Sequence, residues 1–406
     1  GTVLERIKTI DNGAAALVRY ISGNGFPVYK NTCTQYFDSG EEFFESFVDN
    51  LKKAKKFIFI EFFIINEGIM WDTVLGILEQ KAKEGVDVRI IYDDAGCLGK
   101  LPHKYYEKLR SKGIKCCVFN PVSPIVEIRM NHRDHRKIIV IDGNIGYTGG
   151  INLSDEYINA IEKFGHWKDS AILVKGDAVW SMTLMFLQFW TFLSSRNKND
   201  GETDYNEDPD KFRPSGSEFS TEISDEFVQP FCDSPADSEA FGENIYLNMI
   251  LKAKKYVYIF TPYFVVGNTL VNALRLAAKS GIDVRIVTPH IPDKWYVFQV
   301  TRSFYPMLLE AGVMIYEYTP GFLHSKVLLC DDELAVVGTI NLDYRSLYSH
   351  FECGVFLYKS GSIKKIKEDF LKTFPVCQKV SMEECRKASL PERILQAFLK
   401  LFAPLM

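Results

Sequence analysis

No run in this 406-residue sequence reaches the ~20 consecutive apolar residues that a membrane-crossing helix needs. The stretch Phe57–Ile65 is short and carries Glu61. Ala178–Leu193 is longer, but Ser181, Thr183 and Gln188 interrupt it, and it is predicted to be a buried, aromatic-rich helix. A Cys-x-x-Cys pair is also missing. The nine cysteines are odd in number and Cys116-Cys117 are adjacent, which excludes a zinc knuckle or a disulfide scaffold and implies reduced thiols facing a cytosol. Positive charge is not in excess: 48 Lys and Arg stand against 52 Asp and Glu, for a net charge of −4. That excludes a generally basic nucleic-acid binder, so no nucleic-acid partner is expected and any anion site must be local. Carboxylates and Cys/His sets at metal-ligand spacing are lacking too, so no metal and no other cofactor is expected. No signal peptide opens the chain, and Gly1 stands where Met is expected, which suggests a trimmed N-terminus.

What is present is an ordinary globular composition, 47% apolar and 25% charged, in a chain long enough for two or three domains. The chain also repeats itself. LKKAKKFIFIEFFII (51–65) matches LKAKKYVYIFTPYFV (251–265), and EGVDVRIIYDDAG from Glu84 matches SGIDVRIVTPHIP from Ser280. GIKCCVFN from Gly113 matches GVMIYEYT from Gly312, and HRKIIVID from His135 matches HSKVLLCD from His324. Four blocks in one order, offset by 200, 196, 199 and 189 residues, mean duplication of a single unit. Helical patterns such as 73–85 and 269–281 alternate with apolar strands, so each unit is predicted to be α/β, layered helix–sheet–helix, with a mixed, mostly parallel sheet. The predicted organisation is an N-terminal segment (1–40), a first unit (41–200), a polar linker (201–238), a second unit (239–380) and a C-terminal amphipathic segment (381–406). The shorter last offset places about ten extra residues before His135, a predicted loop within NPVSPIVEIRMNHRD.

Only seven histidines occur, yet two share a frame. His135, Lys137 and Asp142 follow His-x-Lys-x4-Asp, as do His324, Lys326 and Asp331. Gly149 and Gly338 each lie 14 residues after their His, and Asn152 and Asn341 each lie 17 after it. Strand alternation turns each His and Lys to one face and each Asp to the other, where it is expected to bond backbone or a turn. A pseudo-two-fold axis would gather two His, two Lys and two Asn around one point. Lys and Asn donate to anionic oxygens, and two opposed imidazoles suit in-line displacement at phosphorus, one as nucleophile and one as acid. One imidazole should then be neutral and the other charged, giving a bell-shaped pH profile. Asp169 and Glu352 begin later apolar strands in the two halves and are the candidate histidine-orienting acids.

These motifs resemble those of the phospholipase D superfamily. The flanking text, NHRDHRKIIVIDGNIGYTGGINLSDEY in the first half and TPYF, RSFYPMLLEAGVMIYEYTPGFLHSK and VGTINLDYRS in the second, is similar to bacterial cardiolipin synthases. The resemblance implies a phosphatidyltransferase acting on phosphatidylglycerol at an anionic membrane. His135 would form a phosphatidyl-histidine, and His324 would protonate the departing glycerol and then activate a second phosphatidylglycerol. His135, Lys137, Asp142, His324, Lys326 and Asp331 are carried over as the catalytic set, with Asn152 and Asn341 at phosphate-holding positions. It also implies orienting acids that act across the halves, pairing Glu352 with His135 and Asp169 with His324. The same chemistry with water as acceptor would make a phospholipase D-type phosphodiesterase. A scaffold with a dead site is the third reading, opposed by the intact motifs. The family also implies hydrophobic N-terminal anchors, absent here, and a place on the cytosolic side of a bacterial membrane. Ile394, Leu395, Phe398, Leu401, Phe402 and Leu405 fall at helical spacing and suit either a lipid interface or packing on the protein body. Arg133 and Arg136 are candidates for headgroup contact or for solvated surface.

Overall fold

A computed structural model describes residues 3–121, 132–196, 207–214, 226–236 and 239–405. Two large sheets are built in the same strand order. The first runs Thr32–Phe37, Ala171–Gly176, Ile145–Gly149, Lys137–Ile141, Phe57–Phe62, Asp87–Asp93, Lys115–Phe119. The second runs Phe227–Asp233, His350–Tyr358, Leu334–Gly338, Val327–Cys330, Tyr256–Phe260, Asp283–Pro289, Met314–Tyr318, with Cys377–Lys379 added at its edge. The duplication is therefore structural as well as textual.

The predicted bias toward parallel pairing does not hold. Within each large sheet only the pairs among the strands from 57, 87 and 115, or from 256, 283 and 314, are parallel. The remaining pairs are antiparallel. The reason is loop length. A parallel step needs a crossover of a dozen or more residues, and helices such as Ile69–Lys83 and Asn268–Lys279 supply it. After each motif strand the chain reverses at once, with left-handed backbone at Asp142 and Gly143 and at Asp331 and Asp332.

Three apolar cores hold the layers. One lies under the first sheet with helices Gly40–Lys53 and Ile69–Lys83, and another under the second with Phe241–Lys252, Asn268–Lys279 and Trp295–Glu310. The third is shared: Phe59, Val140 and Val174 of one sheet join Leu329, Val337 and Leu357 of the other. The helix Val179–Arg196 belongs to this shared core, as its aromatic run predicts, and no described helix is long and apolar enough to cross a membrane.

The first 40 residues divide between the halves. Helices Val3–Ile10 and Asn12–Gly23 pack into the second half's core, whereas Thr32–Phe37 edges the first sheet. The linker expected over 201–238 is not all linker. Phe227–Asp233 is the edge strand equivalent to Thr32–Phe37, and Phe212 packs edge-on against Phe57 and Phe59. Of the loop expected before His135, residues 122–131 lie outside the described residues, as do 201–206, 215–225 and 237–238 of the linker.

The paired glycines have a physical cause. A Cβ on Gly149 would stand 2.4 Å from the Ser170 carbonyl oxygen, and one on Gly338 would stand 2.4 Å from that of Cys353. Each glycine thus lets its strand lie against the residue that follows a candidate orienting acid. Gly149→Ala and Gly338→Ala should each cost about 2 kcal/mol or more, read from urea midpoints. Gly76→Ala, on an exposed helix face with nothing within 4 Å of the new methyl, should gain up to ~1 kcal/mol.

Candidate functional site

Each motif histidine sits just before its strand begins, where the chain crosses from one half to the other. Arg133–Asp134 pairs in parallel with His350–Phe351, and Gly321–Leu323 pairs in parallel with His166–Lys168. The next amide in each case continues the crossing: His135 N–H donates to Phe351 O at 2.9 Å, and His324 N–H to Lys168 O at 2.7 Å. That register brings the following residue of the partner strand onto the ring. His135 Nδ1 lies 3.0 Å from both carboxylate oxygens of Glu352, and His324 Nδ1 lies 2.7 Å from Asp169 Oδ2. Both acids are fully buried.

Lys137 and Lys326 are buried beside the rings, and each ammonium donates to the carbonyl of its own motif histidine. Burial lowers the Lys137 pKa to about 8 and that of Lys326 to about 7, Asp169 and Glu352 pulling the other way in both. Lys137 also acts on His324 and on Lys326, so the two sets share one field. Burial pushes both imidazoles well below their ordinary value, and the carboxylates only partly offset this. At neutral pH both rings are therefore neutral. Burial opposes ionisation of Glu352 and Asp169, yet the partner histidines hold both below the usual carboxylate range. With the carboxylates ionised, Nδ1 of each ring carries the proton, and Nε2 keeps its lone pair. The split into one neutral and one charged ring belongs to the reacting state; in the free protein desolvation weighs on both rings alike.

Asp142 and Asp331 stand apart from the rings, at the far ends of the motif strands. Asp142 accepts from the amides of Lys55, Lys56 and Phe57 at 2.7–3.0 Å, and Asp331 from those of Lys254, Lys255 and Tyr256 at 2.7–3.0 Å. Each clamps the start of the neighbouring strand, as alternation requires. Their place in the carried-over catalytic set is therefore structural, since the hydrogen bonds each makes run to backbone amides at the far ends of the strands. Asn152 accepts from Ile64 N–H at 3.1 Å and donates to Tyr157 OH at 2.8 Å, while the buried Asn341 carbonyl oxygen has no partner among the described residues. The two basic residues proposed for headgroup contact are buried as well. Arg136 pairs with Glu61 at 2.8 Å and Asp134 at 3.0 Å, and Arg133 lies 3.6 Å from Asp93.

The family model described as "Cardiolipin synthase, PLD-like domain" matches residues 47–175 and 246–374, one stretch on each half. The chain belongs to this family. A cardiolipin synthase of Geobacillus kaustophilus is 39% identical over 94% of this chain and 74% of its own length. An uncharacterized protein of Streptococcus mutans serotype c is 46% identical over the whole chain and 85% of its own length. Among solved structures, the phosphatidylserine synthase of Haemophilus influenzae Rd KW20 superposes with a TM-score of 0.68 over 96% of this chain and 97% of its own, at 15% identity, a likeness of fold.

Against the family motifs, several site residues escaped sequence reasoning. His350 lies with its Nδ1 3.7 Å from Glu352 Oε1 and its ring 5.8 Å from that of His135. Trp167 holds the equivalent position, 5.5 Å from the His324 ring. Each stands two residues before its acid, and that same-face spacing is the signal that could have found them. Phe63 and Tyr157 pack edge-on against His135 and His324 at 5.1 and 5.4 Å. Thr339 and Ser346 donate to Glu352. Among the described residues, His135, His350 and Glu352 form a group with ligand atoms within 4.8 Å of one another. No such set is legible in the sequence, because its members come from opposite halves. Its carboxylate is already bonded by His135, Thr339 and Ser346, which suits a ring holder better than a metal ligand.

The depressed imidazoles carry a linkage with a definite sign. A folded-state pKa below the unfolded one means that the unfolded chain binds more protons as pH falls. Stability should therefore be fully present above about pH 6.5 and decline as pH drops toward the folded values. The two depressed carboxylates act in the same direction. Urea unfolding between neutral pH and about pH 5 should show this decline, and His135→Gln with His324→Gln should flatten it. A profile unchanged by that pair of substitutions would contradict the assignment.

Proposed function

We propose that this chain makes cardiolipin, transferring a phosphatidyl group from one phosphatidylglycerol to the glycerol hydroxyl of another. The observation that carries the reading is the pair of buried imidazoles. Each is held at Nδ1 by a carboxylate from the opposite half, which leaves Nε2 for chemistry; Lys137 acts on both rings and Lys326 on His324.

His135 Nε2 attacks phosphorus and forms a P–N bond. The P–O bond to glycerol breaks, and the leaving oxygen takes a proton from His324. A second phosphatidylglycerol enters, His324 removes the proton from its hydroxyl, and the resulting alkoxide displaces His135 from phosphorus. Cardiolipin and free glycerol are the products, and both rings return to their starting state. A neutral His324 can act as acid only if the substrate brings the means to charge it. The phosphodiester anion does so by stabilising the imidazolium, whose Nε2 proton is taken up from water as the substrate binds and returned when the product leaves. Lys137 and Lys326 hold the equatorial oxygens, and the buried Asn341 carbonyl oxygen, without a partner among the described residues, accepts from the acceptor hydroxyl.

Water in place of the second alcohol would give phosphatidic acid. The family's named relatives favour the alcohol. Incubation with phosphatidylglycerol vesicles, followed by lipid separation, should give cardiolipin and glycerol in equal amounts, whereas mainly phosphatidic acid would assign the hydrolase. His135→Ala and His324→Ala should each lower turnover by at least about 10³-fold. Acid-quenched His324→Ala should retain phosphatidyl label on the protein and His135→Ala should not; the reverse pattern would exchange the roles.

A further inference from the structure

The C-terminal helix Leu390–Lys400 is docked with its polarity inverted. Its inner side meets the helix Trp295–Glu310 through Gln396, which bonds Gln299 at 3.0 Å, and Lys400, whose ammonium lies 4.0 Å from the Phe304 ring centre. Leu399 packs on the core and Ala403 is buried beyond it. The opposite side is apolar and uncovered: Leu390 is 71% exposed, Leu401 76% and Leu405 70%, with Ile394 and Phe398 exposed between them. A helix resting on a soluble protein normally turns this stripe inward. Trp295, 61% exposed at the start of the supporting helix, adds an interfacial aromatic.

Charge selects the partner. From Leu390 to Leu405 the charges are Arg393 and Lys400 against Glu392, and of these Arg393 is the exposed one; just before them Arg386 is exposed and Lys387 pairs with Glu383 at 3.2 Å, in a chain whose net charge is −4. Glu392 is on the half-buried inner side, and Arg393 is exposed. A second copy facing this patch about a two-fold axis would set like charges together. A surface of anionic phospholipid would complement both the stripe and its cations. The patch also reaches the pocket. The turn Ala403–Leu405 packs on the short helix Tyr344–Tyr348, whose Ser346 hydroxyl donates to Glu352 at 2.7 Å. Just before Trp295, Asp293 accepts from Tyr263 OH at 2.5 Å.

We propose that the outer face of Leu390–Leu405 lies in the headgroup layer of an anionic bilayer and seats the pocket at the lipid surface. The use of that surface rests on the phosphatidylglycerol reading above, but the docking itself is measured without turnover. The 406-residue chain is sedimented with vesicles of phosphatidylglycerol or of phosphatidylcholine, beside a variant carrying Ile394→Asp, Phe398→Asp and Leu401→Asp, and beside Arg393→Glu. Binding to phosphatidylglycerol vesicles should fall at least about tenfold in the triple variant, and Arg393→Glu should weaken the salt-sensitive part of it. These positions are exposed, so an unchanged thermal midpoint checks the fold. Equal sedimentation of wild type and triple variant, or no vesicle binding by wild type, would overturn the proposal. So would a lipid-free wild-type dimer that the triple variant abolishes, because the face would then belong to a second copy. If docking follows the substitutions while dissolved short-chain phosphatidylglycerol yields no cardiolipin with wild type, the reaction reading fails and the docking stands.

Discussion

Two backbone hydrogen bonds, His135 N–H to Phe351 O and His324 N–H to Lys168 O, set the geometry on which the site depends. Each joins a motif histidine to the opposite half, one residue before that half's buried acid. A one-residue slip in either short parallel pairing would turn Glu352 or Asp169 to the other face and leave an imidazole without its holder. Neither half therefore contains a complete ring–carboxylate pair. The shared apolar core between the sheets is what keeps the two crossings in register. It also accounts for Gly149 and Gly338. They are not at the reacting atoms, yet any side chain there would push away the strand that delivers the acid.

The pocket is costly to maintain. Two ammonium groups, two carboxylates and two imidazoles are buried together, and each charge must be offset locally. The lysines bond carbonyls and feel both acids, the acids accept from rings, hydroxyls and amides, and the rings stay neutral. An isolated half would leave these charges without their partners. In the reaction proposed above, a phosphodiester would add one negative charge beside the two ammonium groups, and this is the condition under which an imidazolium would become favourable. The protonation needed for catalysis thus belongs to the complex with substrate and not to the protein alone.

Much of this was legible in the chain. The four ordered blocks predicted the doubling, and the paired His-x-Lys-x4-Asp frames predicted which residues converge. Alternation alone placed Asp142 and Asp331 away from the rings. What escaped was governed by contacts remote in sequence. Arg136 looks solvated in text, but Glu61, the one charge in an apolar strand, is its buried partner. Phe227–Asp233 follows an acidic, polar stretch and has Pro230 at its centre, so it reads as linker; as an edge strand it tolerates proline. Helix–strand alternation reports strand direction only where a helix intervenes, and past Asp142 a tight turn forces a hairpin instead. The neutral state of both rings was beyond reach, since desolvation is a property of the packed interior.

The two half-sites are related but unequal, and the inequality bears on which ring attacks phosphorus. Glu352 divides its charge among His135, Thr339 and Ser346, with His350 close by. Asp169 has one side-chain partner among these groups, His324, at 2.7 Å, and otherwise accepts from the Ser170 amide. A carboxylate shared among several donors orients a ring firmly but stabilises an extra proton on it less. A carboxylate committed to one ring does more for the imidazolium. The nucleophile needs orientation and a free Nε2, whereas the proton carrier must pass through the charged state twice in each cycle. The shared acid therefore suits the role proposed for His135, bonding to phosphorus, and the dedicated acid suits the role proposed for His324, moving protons. Thr339 contributes to this difference from within the second motif, beside Ser346, because its counterpart in the first half, Gly150, has no hydroxyl to offer Asp169.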